Sequence, residues 1–171
     1  MARMGSFSSD LKKLQKQLEQ AAQQEDAFVE SCAKELAARL LAKVKQRTPV
    51  GEYSGGEYIC KARKGPKLKH ISVEVEGKKG GTLRRGWTVG KIQKEGDVYK
   101  VEVINPVEYS SYVEFGHRQK AGRYVPALGK KLVNGWVQGH FMMTISEQEI
   151  RDIAPQVLEA KVAKFLRECM K

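Results

Sequence analysis

Apolar residues recur every three or four positions from Leu11 to Val44: Leu11, Leu14, Leu18, Ala21, Phe28, Cys32, Leu36, Leu40 and Val44. That spacing lays one stripe along one face of an α-helix. Ser8-Ser9-Asp10 supplies side chains that cap a helix N-terminus. Thr48-Pro49 ends the helix, because the residue before a proline avoids helical angles. The pattern predicts a helix over 10–47, about 57 Å long at 1.5 Å per residue. Gln23-Gln24-Glu25-Asp26 interrupts the stripe. A break or kink is expected there, with the preceding half projecting from the body.

Residues 50–86 change character. Glycines such as Gly55, Gly56, Gly77, Gly80 and Gly81 punctuate a lysine-rich stretch, in which only His70–Glu76 alternates as a strand does. A long basic excursion with a short β element is expected. Trp87–Ile92 and Val98–Ile104 read as two strands joined at Glu95-Gly96-Asp97, a hairpin. Tyr109, Tyr112 and Val113 fit a short helix closed by a left-handed Gly116. The glycine-rich residues 117–145 read as a loop. Ser146-Glu147-Gln148-Glu149 forms a capping box, with Ile145 and Ile150 as its hydrophobic staple. It opens a helix over 146–170, striped by Ile153, Val157, Leu158, Val162, Phe165 and Leu166, in which Pro155 should introduce a kink.

The chain has 171 residues, 41% apolar and 30% charged, enough for one domain or one domain with an appendage. Lys plus Arg number 31 against 20 Asp plus Glu, a formal charge of +11. This excludes an acidic ligand mimic and points to an anionic neighbourhood. The charge is localised: fourteen basic and four acidic residues fall within 43–94, so that segment carries +10 of the +11. A solvated basic loop and a patch facing a polyanion both fit. No aromatic ladder for base stacking accompanies it, so nucleic-acid contact would be to phosphate, without sequence choice.

Cys32, Cys60 and Cys169 are far apart and form no CxxC pair. That argues against a zinc ribbon or a disulfide framework and for reduced thiols. No signal peptide is expected, and no run approaches the roughly 18 apolar residues of a membrane span. His117 and Glu114, three apart, could be a base and its orienter, but read better as a surface ion pair. His70 and His140 lack ligand partners at useful spacing, so neither a metal nor a cofactor is expected. Gly80-Gly81-Thr82 precedes Leu83-Arg84-Arg85 without the strand–loop–helix setting of a phosphate cradle, and there is no nucleophile elbow. No catalytic residue is assigned.

Three segments together carry a resemblance: Arg47-Thr48-Pro49-Val50-Gly51, Gly81-Thr82-Leu83-Arg84-Arg85-Gly86-Trp87, and Tyr109-Ser110-Ser111-Tyr112-Val113-Glu114-Phe115-Gly116-His117. In this order the chain resembles the lambdoid gene-product-ten family of phage tail-completion or head–tail joining proteins, related to the lambda minor tail protein Z. Gly139-His140-Phe141-Met142 matches a feature of its versions in Gram-positive hosts. The resemblance implies a structural virion protein rather than an enzyme, assembled in the bacterial cytoplasm and sited in the neck. It implies a single domain over 1–171, a small α+β fold in which a twisted antiparallel sheet packs against a long N-terminal and a kinked C-terminal helix. The implied partners are other copies in a ring of six-fold symmetry, the connector or stopper, the terminator, the tail tube and, transiently, genomic DNA; no membrane is implied.

Under that resemblance, Thr48, Pro49, Leu83, Trp87, Tyr109, Tyr112, Phe115 and Gly116 form the motif core. Glu114, His117 and Arg118 at a helix exit, with Trp136 and Phe141 in a glycine-rich loop, are subunit-interface candidates, large aromatics being common interface anchors. Lys61, Arg63, Lys64, Lys67, Lys69, Lys78, Lys79, Arg84 and Arg85 would line a DNA channel or a phosphate-facing rim. A tail terminator and a free, sequence-blind nucleic-acid-binding protein are the competing readings.

Overall fold

The computed structural model describes residues 4–51, 57–61, 68–72, 80–125 and 130–170, with side-chain environments over 7–51, 80–125 and 131–170. The chain is α+β, a long N-terminal helix, small antiparallel sheets and a C-terminal helix. It divides into two compact units. One comprises Met1–Lys43, Thr88–Ile104 and Ser146–Lys171; the other comprises Val44–Trp87 and Asn105–Ile145.

The first unit is built on two antiparallel helices, α1 (Met4–Arg47) and α4 (Met142–Cys169). Phe28 stacks on Phe165 with ring centroids 4.4 Å apart. Glu35 meets Lys161 at 3.0 Å, and Lys43 meets Glu149 at 2.5 Å. Numbers that rise along α1 fall along α4, which fixes the antiparallel sense. Cys32, Ala37 and Ile150 are buried in this unit.

Two expectations about the helices change. α1 starts at Met4 and runs without interruption through Gln23–Asp26. None of those four residues is glycine or proline, so nothing in them opposes helix formation strongly. Asp26 also acquires partners: Lys94 Nζ donates to its carboxylate at 2.6 Å and Tyr99 Oη at 2.9 Å. α4 begins at Met142, four residues ahead of the expected capping box, and continues through Pro155. Ser146 is therefore a fully buried helix residue, not a cap.

The hairpin of the first unit is a ladder in two parts. β3 (Thr88–Val89) pairs with β6 (Val103–Ile104), and β4 (Gln93–Glu95) with β5 (Val98–Lys100). Gly90 N–H donates to Glu102 O between them at 2.7 Å. Lys91 and Ile92 then face Val101 alone, two residues against one, which is a β-bulge. The expected strand over 87–92 is broken there.

Elsewhere β1 (Glu57–Lys61) pairs with β2 (Leu68–Ser72), so the basic excursion holds a hairpin whose first strand carried no periodic signal. The remainder of the expected strand, 73–76, lies outside the described residues. The second unit contains the five-residue α2 (Thr82–Gly86), α3 (Ser110–Phe115), and two further antiparallel pairs. These are β7 (Gly116–Arg118) with β10 (Trp136–Gln138), and β8 (Tyr124–Val125) with β9 (Lys130–Lys131). The expected 117–145 loop thus contains four short strands.

Hydrogen bonds from Lys94 and then Tyr99 hold the Asp26 carboxyl below its ordinary value of 3.8. Arg39 and then Lys161 do the same for Glu35, below 4.5. Both groups are protonated at higher pH in the unfolded chain than in the folded one. Their contribution is present above the ordinary carboxylate range and is lost as the pH falls through the folded values. Thermal melts between about pH 5 and pH 3 should show a falling midpoint. The fall should be shallower in Asp26→Asn/Glu35→Gln, and equal slopes would show that these pairs do not contribute.

Candidate functional site

The second unit brings together the three sequence motifs. Thr48 is fully buried, just past the last turn of α1. Its hydroxyl donates to Val44 O at 2.6 Å and accepts the indole N–H of Trp87 at 2.8 Å. Its carbonyl accepts two N–H groups of Arg84, at 3.0 and 2.7 Å. A helix C-terminus leaves unpaired carbonyls and a partial negative charge, and the guanidinium meets both needs. The buried Trp87 has its one donor satisfied, as a buried indole requires. Asn105 completes the arrangement, donating to Leu83 O at 2.9 Å and accepting from Val107 N–H at 3.1 Å. Beside it, a cleft of about 360 Å³ is lined by Pro49, Gly51, Gly81, Leu83, Tyr109 and His140, among others.

The second cluster joins α3 to α4. Phe141 precedes α4 and carries no side-chain oxygen to cap it. The cap comes from Glu114, 6% exposed. Glu114 Oε2 accepts Met143 N–H at 2.9 Å; Oε1 accepts Thr144 N–H at 2.9 Å and Thr144 Oγ1–H at 2.8 Å. A carboxylate at a helix N-terminus also complements the helix dipole. The exchange is reciprocal: His140 N–H donates to Val113 O at 2.8 Å, and Phe141 N–H donates to Glu114 O at 3.0 Å. Two glycines allow it. A Cβ on Gly139 would sit 2.2 Å from Glu114 O, and one on Gly116 2.4 Å from Val137 O. Gly116 has the positive φ expected of it, 82°, but its ψ of 174° sends the chain into β7 rather than closing a left-handed turn.

This geometry corrects the Glu114–His117 ion pair, because the carboxylate points at α4. His117 instead meets the ring of Tyr112 edge-on, with centroids 5.7 Å apart. Its Nδ1 is buried with no hydrogen-bond partner among the described residues. A core position for the remaining motif aromatics is also corrected: Tyr109, Tyr112 and Phe115 are 46%, 59% and 61% exposed. α3 has only six residues, and its one buried side chain is Glu114. Trp136 (52%) and Phe141 (38%) are exposed too. Trp136 lies over Gly116, where a Cβ would meet its ring at 3.1 Å, and opposite Arg118 in the β7–β10 register. Tyr112, Phe115, His117, Arg118 and Trp136 therefore gather around Gly116.

Of the basic candidates, Arg84 and Arg85 are bound to carbonyls of their own unit, Arg85 to Gly80 O at 3.1 Å. Lys61 and Lys69 are cross-strand neighbours at one remove, in β1 and β2. Arg63, Lys64, Lys67, Lys78 and Lys79 lie outside the described residues. No group of three or more His, Cys, Asp or Glu within metal-binding reach occurs among the described residues.

The family model described as "Bacteriophage HK97-gp10, putative tail-component" matches residues 12–116. The chain belongs to the HK97-gp10-like family. No curated protein and no solved structure matches it. The match takes in the Thr48–Arg84–Trp87 anchor and the whole of α3, and ends at the glycine under Trp136. HK97-gp10-like proteins are bacteriophage tail components, parts of the virion. No helix among the described residues is long and apolar enough to cross a membrane.

Residue patterns missed the capping role of Glu114 and the close approach at Gly139. The available signal was negative: no Ser, Thr, Asp or Asn stands immediately before Met142, so a helix starting there needs a cap from elsewhere. Glu114→Ala should leave three donors without their acceptor. It should cost about 2–3 kcal/mol and lower the melting temperature by roughly 5–10 °C, measured by circular dichroism. A shift under about 1 °C would show the cap to be dispensable.

Proposed function

We propose that this HK97-gp10-like protein is a structural subunit of the phage neck, assembling as a ring, of six copies, that completes the tail and joins it to the head connector. Family membership over residues 12–116 gives the tail component. The observation that carries the finer reading is the exposed aromatic cluster around Gly116. Tyr112, Phe115 and Trp136 are each more than half exposed beside Arg118, although their backbones are held by the Glu114 cap and the β7–β10 ladder. Aromatics and arginine held in place and facing water are the composition of interface hot spots. In a ring, one face of each subunit meets a different face of the next, so Trp136 and Phe141 need not meet their own counterparts.

The segment 43–94, with a net +10, suits a surface past which DNA moves. Contact through Lys61, Lys69 and their neighbours would be to phosphate and weak at physiological salt, as passage requires. Within this proposal, the placement near the lambda minor tail protein Z rests on the order of the three sequence motifs alone.

Negative-stain electron microscopy of the purified protein, alone and with tail-tube and connector proteins, should show six-fold rings. Tyr112→Ala/Trp136→Ala should lose the rings while keeping its helical circular dichroism. Particles that stay monomeric with all partners present, or rings unaffected by the double substitution, would count against this reading.

A further inference from the structure

The two-helix layer of the first unit has two flanks, one on either side of the line where the helices meet. On α1, the half-buried Gln17, Ala21 and Phe28 face α4; on α4, Lys161, Phe165 and Cys169 face α1. The hairpin covers one flank, forming an apolar cleft with Lys34, Ala38 and Leu41 against Val89, Ile92 and Val101. The other flank exposes apolar side chains. On α1 it carries Phe7, Leu11, Leu14 and Leu18, 40–68% exposed. On α4 it carries Val162, Leu166 and Met170 just past its end, 41–49% exposed.

These two rows lie on the same side of the pair. Each helical residue is rotated about 100° from the one before it. Val162, Leu166 and Met170 each follow a contact residue of α4 by one position. Leu18 follows Gln17 in the same way, and Leu11 and Leu14 lie within about a third of a turn of that contact line, rotated in the same sense. In antiparallel helices, equal rotations of one sense reach the same side. The rows follow one another along the layer: the Phe28–Phe165 and Glu35–Lys161 pairs bring the end of α4 to the middle of α1, so the α4 row ends about where the α1 row, toward the N-terminus, begins.

We infer that this flank is a docking surface for the same flank of a second copy of the chain, two helix pairs closing into an antiparallel four-helix layer about a two-fold axis. Area supports this occupant. With about half of each side chain in water, the seven residues present on the order of 600 Å², so two copies bury on the order of 1,200 Å², past the roughly 1,000 Å² of a specific interface. Charge supports it as well. The chain is +11 overall, which would repel a second copy, but residues 4–42 hold five basic and six acidic residues, and α4 holds four and five. The helices themselves are therefore close to neutral. An apolar face is complementary to itself, as an isologous contact demands. This contact goes beyond the ring, which needs a head-to-tail interface, and does not rest on it.

Sedimentation equilibrium of the full chain from about 1 to 100 μM tests the inference, since a 1,200 Å² apolar contact should associate within that range. The wild type should show a dimer step. Leu11→Gln/Leu18→Gln should remove it, halving the mass at the upper concentrations, with helical circular dichroism retained. Val162→Lys/Leu166→Glu, on the other helix, should do the same. A wild type that is monomeric throughout, or association unchanged in both variants, overturns the inference. Tyr112→Ala/Trp136→Ala serves as the control, because it should abolish rings and leave the dimer step intact.

Discussion

A buried carboxylate must find partners, and Glu114 finds three donors on another helix. Left unpaired, that group would cost several kcal/mol; paired, it ties the end of α3 to the start of α4. Much of the second unit follows from this tie. The backbones must approach closely, so Gly116 and Gly139 carry no side chain. The chain must turn sharply into α4, and Phe141 takes a φ of 48° to do it. A left-handed bulky residue is unfavourable by about 1–2 kcal/mol. It persists because its own N–H, its carbonyl and the helix it opens are all hydrogen-bonded.

The Thr48 anchor follows the same logic at the other helix end. The proline after Thr48 stops α1, and the carbonyls left there need donors. Arg84 supplies them, and Trp87 closes over the hydroxyl. The paired cations Arg84 and Arg85, which in a linear reading belong with the phosphate-facing lysines, have hydrogen-bonding work inside the unit. The part of the basic segment free to act on an anion is correspondingly narrower than its net charge suggests.

Periodicity made the two long helices and the 88–104 hairpin legible, because their apolar positions recur at helical or strand spacing. Their details were less so. α1 passes through Gln23–Asp26 because helical propensity there is adequate and Asp26 has tertiary partners on the hairpin. The bulge at Lys91–Ile92 is one extra residue in one strand, which alternation alone does not register. α4 starts early because its cap is contributed from twenty-eight positions upstream of Met142, beyond the reach of a local capping rule. Order-dependent motifs drew attention to Thr48, Leu83, Trp87 and Gly116, of which the first three share one hydrogen-bonded cluster and Gly116 lies in another. They did not separate the buried members from Tyr109, Tyr112 and Phe115, because a six-residue helix has too few turns for its buried face to show as a period.

The contact between Gly116 and Gly139 has an evolutionary consequence. His117 to Gln138 form a segment whose two ends are held together at Gly116 and Gly139. Closing a loop is the main entropic cost of lengthening it, and that cost grows by only about 0.6 kcal/mol for each doubling. A segment clamped at its base can therefore change length and sequence with little effect on the scaffold beneath. The family match stops at this gate, at residue 116. Arg118, Tyr124 and Trp136 lie within the clamped segment, where related phages can diverge at least cost to the Glu114 cap at its base.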